Sequence, residues 1–170
     1  FIYFGHDKHL VSVLDGGLKK WLIENRKTTS EKTILNNSTY RATENKNLVK
    51  SILEINENIE QKNFTIIDAR SKERFNGSVP DPRKNVRSGS IPNSVCLPFK
   101  EIINSSDNTF KGVSEISKKF SEIIDLNDDK RVFSCGSGIT ACVLGLAYSL
   151  VNNTYSPTVY DGSWAEYGRI

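Results

Sequence analysis

Apolar positions in this chain follow two rhythms. Short consecutive runs mark strands, and recurrences every three or four residues mark helices. Phe64-Thr65-Ile66-Ile67-Asp68 is of the first kind and ends on a carboxylate, the pattern of a parallel strand covered on both faces. Val11-Ser12-Val13-Leu14, Ser94-Val95-Cys96-Leu97, Arg131-Val132-Phe133-Ser134 and Thr158-Val159-Tyr160 are predicted strands on the same grounds. Helical spacing predicts a short helix around Leu18 to Ile23. A longer one covers about Asn47 to Gln61, with Leu48, Val49, Ile52, Leu53, Asn56 and Ile59 on one side. Pro98 opens a helical turn to Ile103, and Ser114 is the predicted cap of a helix whose face is Ile116, Phe120, Ile123 and Ile124. An almost wholly apolar helix covers Ala141 to Val151. The Asn/Ser/Thr/Lys-rich stretch from Asn25 to about Asn45 reads as a connector, and Asn76 to Asn93 as a loop. Short strands alternating with helices predict an α/β fold with a mainly parallel central sheet flanked by helices.

Composition narrows the class. At 170 residues the chain can bury one good core, enough for one domain and a piece of another. Its 23 basic and 20 acidic side chains leave +3, too little and too scattered to imply nucleic acid or a membrane surface as partner. The longest apolar run, Ile139 to Val151, falls short of the ~20 residues that span a bilayer. Three widely spaced cysteines fit neither a disulfide framework nor a zinc pattern, and a reducing compartment, cytoplasmic or mitochondrial, suits them. The chain has no methionine and opens on Phe1-Ile2-Tyr3-Phe4, so it reads as starting downstream of a translation start, with any targeting peptide upstream.

Candidate chemistry concentrates at Cys135-Gly136-Ser137-Gly138-Ile139-Thr140, a loop between a predicted strand and a predicted helix. Such a loop surrounds a sulfur with backbone amides at the positive end of a helix. Free cysteine ionises near pH ~8.5, and amides aimed at the sulfur lower that value and make it a nucleophile. Placement alone leaves a second reading open, a buried core cysteine at a strand end. Cys96 in its strand and Cys142 in its helix read as inert core residues, and Asp68 and Arg70 as a structural ion pair. Arg74 and Arg83, taken by themselves, are solvated arginines in a polar segment.

Val13-Leu14-Asp15-Gly16-Gly17 near the start is echoed by Val159-Tyr160-Asp161-Gly162-Ser163 near the end, as if both closed copies of one unit. With Ile67-Asp68-Ala69-Arg70, Gly89-Ser90-Ile91-Pro92 and the Cys135 loop, these segments resemble the rhodanese superfamily, specifically its two-domain sulfurtransferases. The resemblance implies that residues 1–30 are the tail of a first rhodanese-like domain, 31–45 a linker and 46–170 the second, catalytic domain. Ser90 departs from the family's usual Gly-His-Ile-Pro. His6 and His9 fall in the first-domain tail and read as structural.

Cys-Gly-Ser-Gly-x-Thr resembles the 3-mercaptopyruvate branch, where thiosulfate-using members carry basic residues after the cysteine. The resemblance implies a sulfur donor held by Arg74 and Arg83 and a persulfide on Cys135. Amides of residues 136 to 140 stabilise that anion, and the Ser137 and Thr140 hydroxyls donate to sulfur or relay a proton. It implies thioredoxin, a small thiol or cyanide as acceptor, and no metal or organic cofactor. Thiosulfate sulfurtransfer and a non-catalytic rhodanese-like binding module are the alternatives. A phosphatase is disfavoured, since no arginine follows Cys135 before Val151 to close a phosphate loop.

Overall fold

The computed structural model describes residues 1–128 and 130–170. Helix α1 (Gly17–Ile23) is followed by α2 (Ile52–Gln61), β1 (Thr65–Asp68), α3 (Lys72–Phe75) and β2 (Val95–Cys96). Then come α4 (Val113–Ser121), β3 (Arg131–Ser134), α5 (Ile139–Asn152), β4 (Thr158–Val159) and α6 (Ser163–Tyr167). The strands form one all-parallel sheet in the order β2-β1-β3-β4. Ile67 lies opposite Phe133 and Asp68 opposite Ser134, so the carboxyl ends of the two central strands are level.

Alternation along these strands fills two core layers. Ile67 and Phe133 face α4 and α5, meeting Ile116, Phe120, Leu144, Ala147 and Tyr148. Ile66 and Val132 face the other side with Ile55, Ile91, Tyr160 and Trp164. Both layers are needed because a parallel strand has no solvent face. Phe120 sits edge-on to Tyr148 at 5.0 Å between ring centres and to Phe133 at 6.4 Å, the offset geometry that aromatic quadrupoles favour.

The α/β class and parallel sheet are as expected, with local departures. Val11–Leu14 forms no strand and has no strand partner among the described residues, and Val13 and Leu14 are exposed. The segment from Asn47 is not one helix. Lys46–Leu48 is a 3₁₀ turn, Val49 bridges in parallel to Val159, and α2 begins after Ser51. Ser51 and Glu54 form a reciprocal capping box there. The later start rotates the buried face to Ile55 and Asn58, leaving Leu53 and Asn56 outside. Asn58 is buried because its amide satisfies both backbone groups of Phe64, donating to the carbonyl and accepting from the N–H at 2.9 Å each. Gly112, not Ser114, caps α4, whose Ile116 and Phe120 are buried as predicted.

Residues 27–45 carry no helix or strand. Upstream, the Asp15 carboxylate accepts the Phe110 N–H at 2.8 Å, and Lys19 donates to the Ser105 carbonyl at 2.8 Å. These bonds seat α1 against the loop before α4. No helix among the described residues is long and apolar enough to cross a membrane.

Candidate active site

Strand β3 delivers Cys135 at its carboxyl end, where loops gather in an open parallel sheet. The turn is tighter than the sequence suggests, since α5 already begins at Ile139. Gly138 caps it in the left-handed region at φ +85°, and a Cβ there would stand 2.6 Å from Asp161 Oδ1 and 3.0 Å from the Asp161 carbonyl. Only glycine meets both demands. We expect Gly138→Ala to slow modification of Cys135 by a sulfur donor about 100-fold, the effect of an ångström-scale misplacement of a reacting group. A single-turnover rate, with circular dichroism to verify the fold, measures it.

Cys135 is only 2% exposed, and burial alone pushes its thiol up. The Thr140 hydroxyl and the amides of Ser137, Ala141 and Thr140 outweigh burial and hold the thiol below the ordinary cysteine value. This set differs from the expected amides of residues 136 to 140. Gly138 N–H instead donates to Ser163 Oγ at 3.1 Å, and Ala141, inside the helix, contributes its own amide. Thr140 supplies a hydroxyl, whereas Ser137 contributes its amide and is otherwise exposed.

Ser163 is one residue that sequence reading missed. Fully buried, its hydroxyl accepts from Cys135 N–H and Gly138 N–H, both at 3.1 Å, and donates to the Tyr160 carbonyl at 2.9 Å. Trp164 and Ala165 N–H groups take the carbonyls of Cys135 and Gly136 at 3.0 and 2.9 Å. The first turn of α6 thus fixes the loop and leaves other amides to point at sulfur. Its signal in the sequence was Asp161-Gly162-Ser163, read as a repeat mark and as part of the family resemblance.

Arg74 and Arg83 are brought together over the loop. Ser71 caps α3 by accepting the Arg74 N–H at 3.4 Å, which starts the short helix that carries Arg74. A Cβ on Gly136 would lie 3.2 Å from both terminal nitrogens of Arg83 and 3.3 Å from Arg74 Nη2. One carboxylate ties them, with Asp81 Oδ2 accepting from Arg74 Nη2 at 2.7 Å and Oδ1 from Arg83 Nη1 at 3.3 Å. Burial pushes the Asp81 carboxyl up, but hydrogen bonds from Arg74 and the Arg83 backbone hold it below the usual carboxylate range. Arg74 Nε is buried and has no hydrogen-bond partner among the described residues.

The other two cysteines differ from this one. Burial and the nearby Asp68 push the Cys96 thiol up to about 12. Cys142 is exposed rather than in the core, because α5 buries Ala141, Leu144, Gly145 and Tyr148 on its inner side. Its thiol is raised as well, chiefly by desolvation and then by Cys135. Asp68 and Arg70 form the expected ion pair, joined at 2.6 Å with both side chains 2% exposed.

Residues 51–169 match the rhodanese-like domain. The chain belongs to this family. Human 3-mercaptopyruvate sulfurtransferase is 38% identical over 168 residues, covering 98% of this chain and 55% of the human protein. Rat thiosulfate sulfurtransferase is 35% identical over 171 residues, covering 99% of this chain and 56% of its own length. The crystal structure of SseA from Escherichia coli, described among 3-mercaptopyruvate sulfotransferases, superposes with a TM-score of 0.78 at 29% identity. It covers 96% of this chain and 59% of that one. This rhodanese-like chain therefore spans about half the length of the curated relatives it matches.

Proposed function

We propose that this chain is the catalytic part of a sulfurtransferase that takes sulfur from 3-mercaptopyruvate onto Cys135. The observation that carries the reading is a thiol held below its ordinary pKa in a loop that has no basic residue of its own and whose Gly136 lies against two guanidinium groups. Arg74 and Arg83 suit the donor's carboxylate and carbonyl, since a guanidinium gives paired parallel hydrogen bonds to such oxygens.

The Cys135 thiolate attacks the donor's thiol sulfur. A sulfur–sulfur bond forms as the donor's carbon–sulfur bond breaks, its electron pair leaving as pyruvate enolate, which then takes a proton. The persulfide loses its proton and sits as an anion under the amides of Ser137, Thr140 and Ala141. An acceptor thiol, thioredoxin or a small molecule, or cyanide, then attacks the outer sulfur and regenerates the Cys135 thiolate. Ping-pong kinetics follow from the two half-reactions.

Thiosulfate as donor is the second reading, supported by relatives named thiosulfate sulfurtransferase. The two are separated by kcat/KM for persulfide formation with each donor. A higher value for 3-mercaptopyruvate is expected, and a strong preference for thiosulfate overturns the choice. Mass spectrometry should show one added sulfur atom on Cys135. No adduct with either donor favours a binding module.

A further inference from the structure

The buried carboxylate between the two arginines has a consequence for the donor's charge. The Asp81 side chain is 1% exposed and divides its oxygens between the arginines. One takes Arg74 Nη2 at 2.7 Å, and the other takes the Arg83 backbone N–H at 3.0 Å and Nη1 at 3.3 Å. Two guanidinium charges and one carboxylate leave a net +1 beside Gly136. The loop from Gly136 to Thr140 contributes no ionisable side chain. Asp161, on the far side at Gly138, is exposed to water. Charge in water is screened, while charge in a buried group acts through a lower effective dielectric constant. Asp81 is therefore the dominant negative charge on the arginine face.

We propose that Asp81 is the specificity-determining residue of this site, tuning the arginine face to a monoanionic sulfur donor by neutralising one of its two positive charges. The proposal rests on the assignment of Arg74 and Arg83 to the donor. A dianionic donor needs both guanidiniums free of internal pairing. A monoanion with a carbonyl needs one net charge and two well-aimed hydrogen-bonding forks, which the shared carboxylate supplies by holding both arginines over the loop. A purely structural Asp81 would act differently, since loosening the 76–93 loop weakens every donor alike. A charge role changes one donor relative to the other.

The test compares kcat/KM for persulfide formation on Cys135, read by mass spectrometry, with 3-mercaptopyruvate and with thiosulfate. Asp81→Asn is expected to raise the thiosulfate-to-mercaptopyruvate ratio about ten-fold, the order of effect of one added charge a few ångströms from a partly screened ligand. Raising the salt concentration should shrink that shift. Asp81→Glu keeps the charge and should keep the wild-type ratio. Asp81→Asn/Arg83→Gln restores a net +1 and should bring the ratio back toward wild type. Should Asp81→Asn fail to fold, Arg83→Gln alone leaves no net charge and should move the ratio the opposite way.

Both donors falling together in Asp81→Asn, with the ratio within about two-fold of wild type, overturns the proposal. So does an unchanged ratio in Arg83→Gln. A wild type that prefers thiosulfate defeats only the choice of donor, because the shift between variants still decides the role of Asp81. A wild type that takes sulfur from neither donor overturns both.

Discussion

Cys135→Ser is expected to abolish sulfur transfer, lowering turnover by about four orders of magnitude or more, as loss of a covalent nucleophile does. A serine oxygen in the same cradle cannot carry a sulfane sulfur, and its hydroxyl ionises far above any thiol. The variant should fold normally, because a hydroxyl at this 2%-exposed position meets the same amides and the Thr140 hydroxyl. Its stability should stay within about 1 kcal/mol of wild type in urea titration. In the wild type, the rate of persulfide formation should fall as pH drops through the thiol's own pKa. That midpoint lies below the ordinary cysteine value, because the hydrogen bonds to sulfur exceed the effect of burial. A midpoint at or above the value of a free thiol would mean that the cradle does not activate the sulfur.

The largest stability effect is expected at the ion pair beneath the site. Arg70 donates from Nε to both oxygens of Asp68, at 3.1 and 2.9 Å, and from Nη2 to Oδ2 at 2.6 Å and the Gly89 carbonyl at 2.8 Å. Its guanidinium also lies 4.7 Å from the centre of the Trp164 ring. Arg70→Met leaves Asp68 buried with the Arg70 backbone N–H, at 2.9 Å, as the remaining bond in this set. Breaking one side of such a pair costs about 3–5 kcal/mol, against a typical total stability of roughly 5–15. The urea midpoint should drop accordingly. Asp68→Asn/Arg70→Met should recover a good part of the loss, since no buried charge is then left alone. A single variant within about 1 kcal/mol of wild type would show that water reaches Asp68. The loss also touches chemistry, because the pair holds the end of β1, from which Ser71 launches the helix that carries Arg74.

Much of this was legible because the physics involved is local. Phe64–Asp68 and Arg131–Ser134 are apolar runs of strand length, and only a two-faced parallel sheet buries them. The Cys135 loop combines a strand end, glycines and an apolar helix within a few residues. Val11–Leu14 was misread because an alternating or apolar run predicts a strand only where a neighbour exists to bond it. The α2 face was misread because a bridge at Val49 and a capping box at Ser51 shifted the helical phase by a few residues. Cys142 was misread because an apolar helix has an outer side that composition cannot assign.

Asp81 and Ser163 were missed for a different reason. Each acts through contacts that chain folding creates, in Asp81's case with Arg74 seven positions away and in Ser163's with Cys135 28 positions away. A proline on each side of Asp81, with Arg83 two residues on, hinted at a fixed turn but not at a shared carboxylate. The assignment of the arginines to a sulfur donor came from family resemblance; as isolated residues they read as solvent-facing.

The grip of α6 on the loop also sets an order of events during folding. Ser163 stands 28 residues after Cys135, so the cradle is complete only when the end of the chain packs back on the loop. Until that serine and the two amides after it are in place, the loop lacks the partners for Cys135 N–H, Gly138 N–H and two of its carbonyls. A chain in which α6 is undocked therefore carries a thiol without that preset cradle. The reactive anion is switched on only once the helix that shapes it has docked.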